Sequence, residues 1–201
     1  MGKLIFVYSI AYLAGSVNFA VIFFKLAGKG DPRLSFSGNA GTTNVYRQAG
    51  LLWAATIFLL DIGRAIAVAA LAVYLLPASF VSWACFFLVL GNSFPCFHGF
   101  HGGKGVANYL GFSLYVFPLS AGLSALIWLL VYGVVRIPFI ASFFMIFILT
   151  VGQAWFFNWT FGAVAGSFAT FTLILLNHRR NIIEVWKSKK LNYDIGRKEV
   201  N

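Results

Sequence analysis

Residues 51–76 read LLWAATIFLLDIGRAIAVAALAVYLL, and this run decides the class of fold. It is long enough to cross the hydrocarbon core of a bilayer, which takes about 20 apolar residues. Its two charged side chains, Asp61 and Arg64, lie three residues apart on one helical face and can neutralise each other. We therefore expect a membrane-spanning helix that carries an ion pair, with a structural role favoured over a directly catalytic one.

The composition of the remaining chain extends this expectation to the whole protein. Of 201 residues, 60% are hydrophobic and 10% are charged, with a mean hydropathy of +0.84. A soluble globular protein carries about 25% charged residues, so this chain has too little polar surface to face water. The sequence excludes a separate soluble domain and predicts one polytopic membrane domain over residues 1–201.

The apolar runs predict how often the chain crosses the membrane. Between two of them, residues 106–135 would form a helix of about 45 Å, longer than the hydrocarbon core of about 30 Å. Pro118 lies inside this segment and divides it into a short span and a longer one. We therefore predict an all-α bundle of about seven transmembrane helices, some short. The other predicted spans are residues 4–24, 51–76, 80–97, 139–157 and 159–176.

The charges predict the orientation. The chain has 15 Lys and Arg against five acids, for a net charge of +10. Seven spans put residues 25–50, residues 98–105, Arg136 and the tail from residue 177 on one side. With Lys3 outside and Arg64 inside a helix, 13 of the 15 cations lie on that side. The positive-inside rule makes it cytoplasmic, with the N-terminus outside. Cations at the ends of apolar runs indicate lipid headgroups and anionic substrates as partners, and no nucleic acid.

Residues 33–47 read RLSFSGNAGTTNVYR and form the first loop that could carry chemistry. Small residues, hydroxyls, amides and guanidinium groups offer many hydrogen-bond donors to an oxyanion. A polar connecting loop built from turn-forming residues explains the same composition equally well.

Residues 91–106 read GNSFPCFHGFHGGKGV and form the second candidate loop. Gly102, Gly103 and Gly105 would let the backbone approach a ligand closely. Lys104 and the amino end of a following helix would supply positive potential for a phosphate group. The spacing differs from that of a Walker A motif.

The sequence predicts no metal or cofactor. His98 and His101 could share a helical face, but no carboxylate or third ligand lies nearby. Cys85 and Cys96 fall in an apolar region and are interpreted as small buried residues.

Residues 177–186 read NHRRNIIEVW and follow the last predicted span. His178, Arg179 and Asn181 could complete an anion site at the cytoplasmic mouth, whereas Arg180 and the later lysines would meet lipid headgroups. A simple positive-inside tail explains the lysines well and the first four residues of the segment less well.

Taken together, these segments resemble those of the bacterial acyl-phosphate glycerol-3-phosphate acyltransferases, the PlsY family. The resemblance covers nearly the whole chain. Its best markers are SGNAGTTNVYR at 37–47, FP at 94–95 before GGKGV at 102–106, and HR at 178–179 followed by NI at 181–182.

The resemblance implies transfer of a fatty acyl group from acyl phosphate to the 1-hydroxyl of glycerol 3-phosphate, giving lysophosphatidic acid for phospholipid synthesis in the bacterial inner membrane. It implies these two substrates and membrane lipids as partners, with no cofactor and no obligatory protein partner. The implied catalytic residues are Lys104, His178 and Ser37. The implied substrate-binding residues are Asn39, Asn44, Arg47, Gly102, Gly103, Gly105, Ser142 and Asn181.

The proton of the attacking hydroxyl needs an acceptor, and the motif loops contain few carboxylates. His178 is the best side-chain candidate. A phosphate monoester, with a second pKa of about 6, is the other. We favour the substrate phosphate as the base, with His178 orienting the hydroxyl or the phosphate.

Some positions depart from the family pattern. Phe36 stands where glycine is usual, Asn92 where histidine is usual, and Arg64 where lysine is usual. In the tail, Arg180 replaces a usual Glu and Glu184 a usual Arg. These departures leave open a catalytically impaired paralogue that binds lipid intermediates. A basic mouth and seven helices would also permit a transporter of a small phosphorylated solute.

Overall fold

The structure of the protein is a computed structural model that describes residues 1–187. Within these residues the chain is helical and contains no β-strand. Two short 3₁₀ turns, Pro32–Leu34 and Cys96–His98, lie in the loops. The helices are α1 (Gly2–Ser16), α2 (Phe19–Leu26), α3 (Thr42–Ala49), α4 (Leu51–Leu75), α5 (Ala78–Ser93), α6 (Val106–Val116), α7 (Pro118–Val135), α8 (Pro138–Phe156), α9 (Phe161–Asn177) and α10 (Arg179–Lys187).

The predicted membrane bundle is confirmed, and each of the seven apolar segments is helical. Five segments are long and apolar enough to cross a membrane, and α9 with α10, bent by 44°, makes a sixth. The short predicted span is α6, whose 11 residues cover about 16 Å. Helix α7 begins at Pro118, where the sequence predicted the division, because proline fits the first turn of a helix.

The first apolar run is broken, which the sequence analysis did not predict. Helix α1 ends at Ser16, and α2 begins after Asn18. The side-chain oxygen of Asn18 accepts a hydrogen bond from the amide of Val21 at 3.1 Å. Asparagine is a favoured N-cap because it satisfies an amide that has no partner in the first turn.

Glycines bring the helices into close contact, because a residue without a side chain lets two helix backbones approach each other. A Cβ atom on Gly15 of α1 would lie 2.1 Å from the carbonyl oxygen of Leu88 in α5. On the opposite face of α5, a Cβ atom on Gly162 of α9 would lie 2.3 Å from the carbonyl oxygen of Ser79. Helix α5 is therefore clamped between α1 and α9, with backbone against backbone.

The loop after α5 turns back into the bundle. The amide of Gly103 donates to the carbonyl of Asn92 at 2.9 Å, so the loop runs back alongside the last turn of α5. A Cβ atom on Gly105 would lie 2.5 Å from Val89, four residues before the end of α5. Helix α6 thus begins about 6 Å deeper in the bundle than the end of α5. A short helix is therefore enough to complete the bundle.

Candidate active site

A cavity of about 740 Å³ lies where the loops at one end of the bundle meet. Residues from the loop before α3, the start of α6, the turn around Arg136 and the start of α10 all line it. These are the segments that the charge pattern placed on a single side of the membrane. The fold therefore brings together the three candidate segments of the sequence.

The cavity has a cationic end and an apolar wall. Arg47, Lys104 and Arg136 supply three cations. The apolar wall is formed by Phe58, Leu110, Ala125, Trp128, Leu129 and Met145 from α4, α6, α7 and α8. This combination suits an amphipathic anion, whose charged group and apolar chain require different surroundings.

Lys104, the residue before Gly105, lines this cavity. Its Nζ donates a hydrogen bond to Oδ1 of Asn181, which joins the second motif loop to α10. Burial lowers the pKa of Lys104 to about 8, an effect that Glu184 opposes and Arg47 reinforces. Lys104 is therefore a cation at neutral pH whose charge is incompletely solvated.

His178 follows the last residue of α9 and is 3% exposed. Its Nδ1 lies 2.8 Å from the carbonyl oxygen of Ile174. A carbonyl can only accept, so Nδ1 carries the proton and Nε2 keeps a lone pair. Burial, together with the charge of Lys104, lowers the pKa of His178 to about 4. The imidazole is neutral at physiological pH and is suited to accept a hydrogen bond.

The amino ends of the three helices α3, α6 and α8 meet the cavity, and none of them has a side-chain cap. Helix α8 begins with Pro138, which has no amide N–H to offer, so α3 and α6 are the two that can bind an anion. Helix α3 follows Gly41 and α6 follows Gly105, and the residues on both sides of these starts line the cavity. The first amides of a helix have no partners within it and carry partial positive charge. The cavity therefore offers two separate places that favour an anion.

Gly102 is not among the residues that line the cavity, and its assignment as a substrate-binding residue stays a prediction. Its amide donates to the carbonyl of Ser93 at 3.1 Å, and a Cβ atom there would lie 2.0 Å from the carbonyl oxygen of Asn92. Glycine is needed here because the loop packs against α5. Gly103 lines the cavity, but its amide is also occupied. Among the three glycines, Gly105 is the one at the helix start.

Asn44 and Ser142 line the cavity, but their polar atoms already have partners. The Asn44 amide donates to the carbonyl of Pro32 at 2.8 Å and accepts from the amide of Ser37 at 3.4 Å. The Ser142 hydroxyl donates to the carbonyl of Pro138 at 3.0 Å. These two residues hold the walls of the site. Ser37, Asn39 and Arg47 also line it, and their side chains make no hydrogen bond within residues 1–187.

Seven polar residues that line the cavity were not assigned to the site from the sequence: Thr42, Thr43, Asp61, Asn92, Asn108, Arg136 and Glu184. Asn108 was detectable as a polar residue in the first turn of an apolar helix. Arg136 lies in the turn between α7 and α8, and in the sequence it served only as evidence for the orientation of the helices in the membrane. Asp61 forms the predicted ion pair with Arg64 at 2.7 Å.

The described part of the chain contains no group of three or more His, Cys, Asp or Glu side chains that could hold a metal ion. Nε2 of His98 instead accepts a hydrogen bond from the amide of Asn18 at 3.4 Å. Nδ1 of His101 lies 2.6 Å from the carbonyl oxygen of Gly99.

Fold and site together define a class: a polytopic membrane protein with a cationic, amphipathic site at one end of its bundle. The family model described as glycerol-3-phosphate acyltransferase matches residues 5–188. The chain therefore belongs to the glycerol-3-phosphate acyltransferase family.

Individual relatives agree with this assignment. A glycerol-3-phosphate acyltransferase of Methylobacillus flagellatus is 37% identical over 183 residues, which cover 90% of this chain and 92% of that protein. The crystal structure of PlsY, an integral membrane glycerol 3-phosphate acyltransferase, in its glycerol 3-phosphate form superimposes with a TM-score of 0.82. The two chains are 33% identical, and the match covers 93% of this chain and 94% of the PlsY chain. The lysophosphatidic acid form of PlsY gives a TM-score of 0.79.

Proposed function

We propose that this protein transfers a fatty acyl group from acyl phosphate to the 1-hydroxyl of glycerol 3-phosphate, releasing lysophosphatidic acid and phosphate. The observation that carries the proposal is that the uncapped starts of α3 and α6 face one cavity that also has an apolar wall. Glycerol 3-phosphate and acyl phosphate each carry a phosphate group, and the acyl chain needs the apolar wall. The related PlsY structures, in glycerol 3-phosphate and lysophosphatidic acid forms, support the acceptor and the product.

The donor phosphate is assigned to the start of α6. The uncapped amides after Gly105 and the ammonium of Lys104 would hold it there, with Asn181 orienting the ammonium. As the bond from the carbonyl carbon to the phosphate oxygen breaks, negative charge develops on the departing phosphate. Donors already in place at that point lower the barrier without having to reorganise.

The acceptor phosphate is assigned to the start of α3. Arg47 is exposed and makes no hydrogen bond within the described residues, so its guanidinium can form charge-assisted hydrogen bonds to phosphate. Ser37 and Asn39 line the same end of the cavity and offer further donors. Asn44 supports this loop from beneath through its bonds to Pro32 and Ser37.

In the acyl transfer itself, the 1-hydroxyl oxygen attacks the carbonyl carbon and loses its proton as the new ester bond forms. We assign the proton to a substrate phosphate, whose second pKa of about 6 suits a base near neutral pH. His178 is a weak base because its pKa is about 4. Its Nε2 lone pair would instead accept a hydrogen bond from the hydroxyl and orient it.

The site is placed at the cytoplasmic surface of a bacterial inner membrane, with the N-terminus outside. The concentration of cations around the cavity supports this orientation through the positive-inside rule. Further cations in residues 188–201 lie outside the described residues.

The test is an assay of purified protein in lipid nanodiscs with labelled palmitoyl phosphate and glycerol 3-phosphate. We expect lysophosphatidic acid and inorganic phosphate in equal amounts. Palmitoyl-CoA and palmitoyl-acyl carrier protein, offered in parallel, should give no product. Product from either thioester would overturn the assignment of the donor. Tight substrate binding without product would indicate an impaired paralogue, and uptake of glycerol 3-phosphate into proteoliposomes would indicate a transporter.

A further inference from the structure

Arg64 of α4 lies beside the cavity and contacts several of the segments that surround it. Its side chain is 8% exposed, and it does not line the cavity, although its ion-pair partner Asp61 does. The guanidinium lies between the end of α1 and the start of α6. A buried cation inside a membrane bundle is costly, so its contacts require an explanation.

One end of the guanidinium caps the broken first span. Nη1 donates to the carbonyl of Ala14 at 3.1 Å, to that of Gly15 at 3.4 Å and to that of Val17. Helix α1 ends at Ser16, so the carbonyls of Gly15 and Val17 have no helical donor, and that of Ala14 keeps only the amide of Val17 at 3.2 Å. A cation at the carboxyl end of a helix also interacts favourably with its dipole.

The other end of the guanidinium reaches the phosphate-binding segment. Nη2 donates to Oδ1 of Asp61 and to Oδ1 of Asn108, each at 2.7 Å, and it lies 3.4 Å from Oδ1 of Asn92. Asn108 belongs to the first turn of α6. The carbonyl of Asn92 receives the amide of Gly103 at 2.9 Å. Nη2 of Arg64 therefore contacts residues that hold the chain on both sides of Lys104: Asn92, which binds Gly103 before it, and Asn108 after it.

We infer that Arg64 is a positioning residue for the acyl-transfer reaction, an inference that rests on the proposed function. Through Asn92 and Asn108 it fixes the segment that presents Lys104 and the first amides of α6 to the donor phosphate. It also neutralises Asp61, a carboxylate that lines the cavity and would otherwise repel both anionic substrates. The end of the first span is thereby connected to the phosphate site.

The shape of the guanidinium matters as much as its charge. Its two terminal nitrogens point to different partners, one to α1 and the other to Asp61 and Asn108. Lysine is usual at this position in the family, but there histidine usually stands in place of Asn92. Beside the Asn92 and Asn108 of this chain, a lysine ammonium is a single point on a flexible stem and cannot occupy both nitrogen positions. Arg64→Lys should therefore keep Asp61 neutralised while releasing one of the two connections.

The first experiment establishes the activity of the wild type. It then measures, for Arg64→Lys, the kcat per folded molecule and the KM for each of the two substrates. A misplacement of about 1 Å at a reacting group can cost up to about 10²-fold in rate, so we expect kcat to fall about 10- to 100-fold. The KM for glycerol 3-phosphate, bound at α3, should change by less than about threefold. An inactive wild type would refute the proposed function. A wild-type kcat in Arg64→Lys would refute the role of Arg64.

Gln153→Leu is the matched control. Gln153 in α8 is fully buried and donates to Oγ of Ser113 near the opposite end of α6 at 3.0 Å. Its loss removes a buried polar contact to the same helix away from the cavity. We expect altered thermal stability with wild-type kcat per folded molecule. An equal fall of kcat in both variants would show that any loosening of α6 has the same effect, and it would overturn a specific role for Arg64.

A double-mutant cycle identifies the route of the effect. If Arg64 acts through Asn108, the combination of Arg64→Lys with Asn108→Ala should reduce kcat no further than the more severe single variant. Fully additive losses would overturn the proposed connection. Asp61→Asn with Arg64→Gln, which removes both charges, provides a second background if Arg64→Lys folds poorly. We expect the same fall in kcat there, and a wild-type kcat would refute the inference.

Discussion

At the scale of single residues, burial gives Lys104 and His178 different roles. The pKa of Lys104 is lowered to about 8 and that of His178 to about 4. At pH 7 the first group is therefore charged and the second is neutral. In the proposed reaction, the cation would stabilise the departing phosphate and the neutral imidazole would orient the attacking hydroxyl.

The role of Lys104 can be tested by removing its charge. Lys104→Ala should lower turnover by roughly 10²–10³, because one charge-assisted donor to a developing anion is worth about 2.7–4 kcal/mol. Turnover at saturating substrates is the measurement, with the thermal melting of each variant as the control for folding. Turnover close to wild type would exclude Lys104 from the phosphate site.

The pKa of Lys104 also predicts an alkaline limit. The ammonium is protonated below about pH 8 and loses its proton above it, so kcat/KM should fall as the pH rises through about 8. Lys104→Arg should keep part of the activity and lose this alkaline limb, since a guanidinium stays charged. The measurement is kcat/KM between pH 6 and pH 9.5 for both proteins. An unchanged alkaline limb in Lys104→Arg would assign it to another group.

His178 provides the test of the base. With a pKa of about 4 it does not change charge between about pH 5 and pH 8, whereas a phosphate monoester does so near pH 6. We expect His178→Asn to lower turnover by loss of orientation and to keep the wild-type acidic limb. Loss of that limb in the variant, with acyl phosphate still bound at wild-type affinity, would make His178 the base.

The sequence predicted residue identities better than residue partners. Lys104 and Asn181 were both assigned to the site, and the structure brings them into contact. The close packing of Gly102 against α5 could not be predicted, because a glycine motif does not reveal which glycine is needed for packing. Asn44 donates to the carbonyl of Pro32, 12 residues earlier, which a linear pattern cannot show. Ser142 donates to the carbonyl of Pro138, four residues earlier in the same helix, as a hydroxyl inside a helix often does.

At the scale of elements, hydrophobic runs predicted the helices and Pro118 predicted the division between α6 and α7. The break after α1 escaped prediction because the residues on both sides of Asn18 are apolar. The depth of α6 also escaped prediction. It depends on the loop that returns from α5 to the level of Val89, and that return follows from backbone hydrogen bonds at Asn92 and Ser93.

The contact between α1 and α5 gives a prediction for stability. In Gly15→Ala the new methyl group would lie 2.1 Å from the carbonyl oxygen of Leu88, so the helices must separate. Overpacking of this kind costs about 1–3 kcal/mol. In Gly122→Ala on α7, the methyl group would meet nothing within 4 Å. That control should be stabilised by up to about 1 kcal/mol, because alanine favours helix.

Unfolding of both variants in mixed micelles by a denaturing detergent provides the comparison. Equal unfolding midpoints for the two proteins would mean that the close approach of α1 and α5 contributes nothing to stability. Cys85 of α5 is fully buried, so its rate of modification by a thiol reagent independently reports any loosening of the bundle around α5.

At the scale of the whole molecule, the cations and the cavity occupy the same end of the bundle. Arg47, Lys104 and Arg136 come from three separate segments and line one space. Charge counting predicted this grouping because alternate ends of spans must lie on the same side of a membrane. The choice of the cytoplasmic side is a separate inference, since it rests on the positive-inside rule.

That choice can be tested with introduced cysteines in a Cys96→Ser background, where the remaining native cysteine, Cys85, is buried. Gly30→Cys and Ser35→Cys report on the cavity end, and both positions are exposed. Gly2→Cys and Ala78→Cys report on the opposite end, where α1 and α5 begin.

In spheroplasts, a membrane-impermeant maleimide should label Gly2→Cys and Ala78→Cys, and it should reach the other two positions only after permeabilisation. The physical reason is that cations in short loops resist transfer across the membrane. The reverse pattern would place the site on the outer side of the membrane and would contradict the predicted cytoplasmic orientation. Labelling of Gly30→Cys and Ser35→Cys on different sides would contradict the shared loop before α3 and, with it, the seven-helix topology.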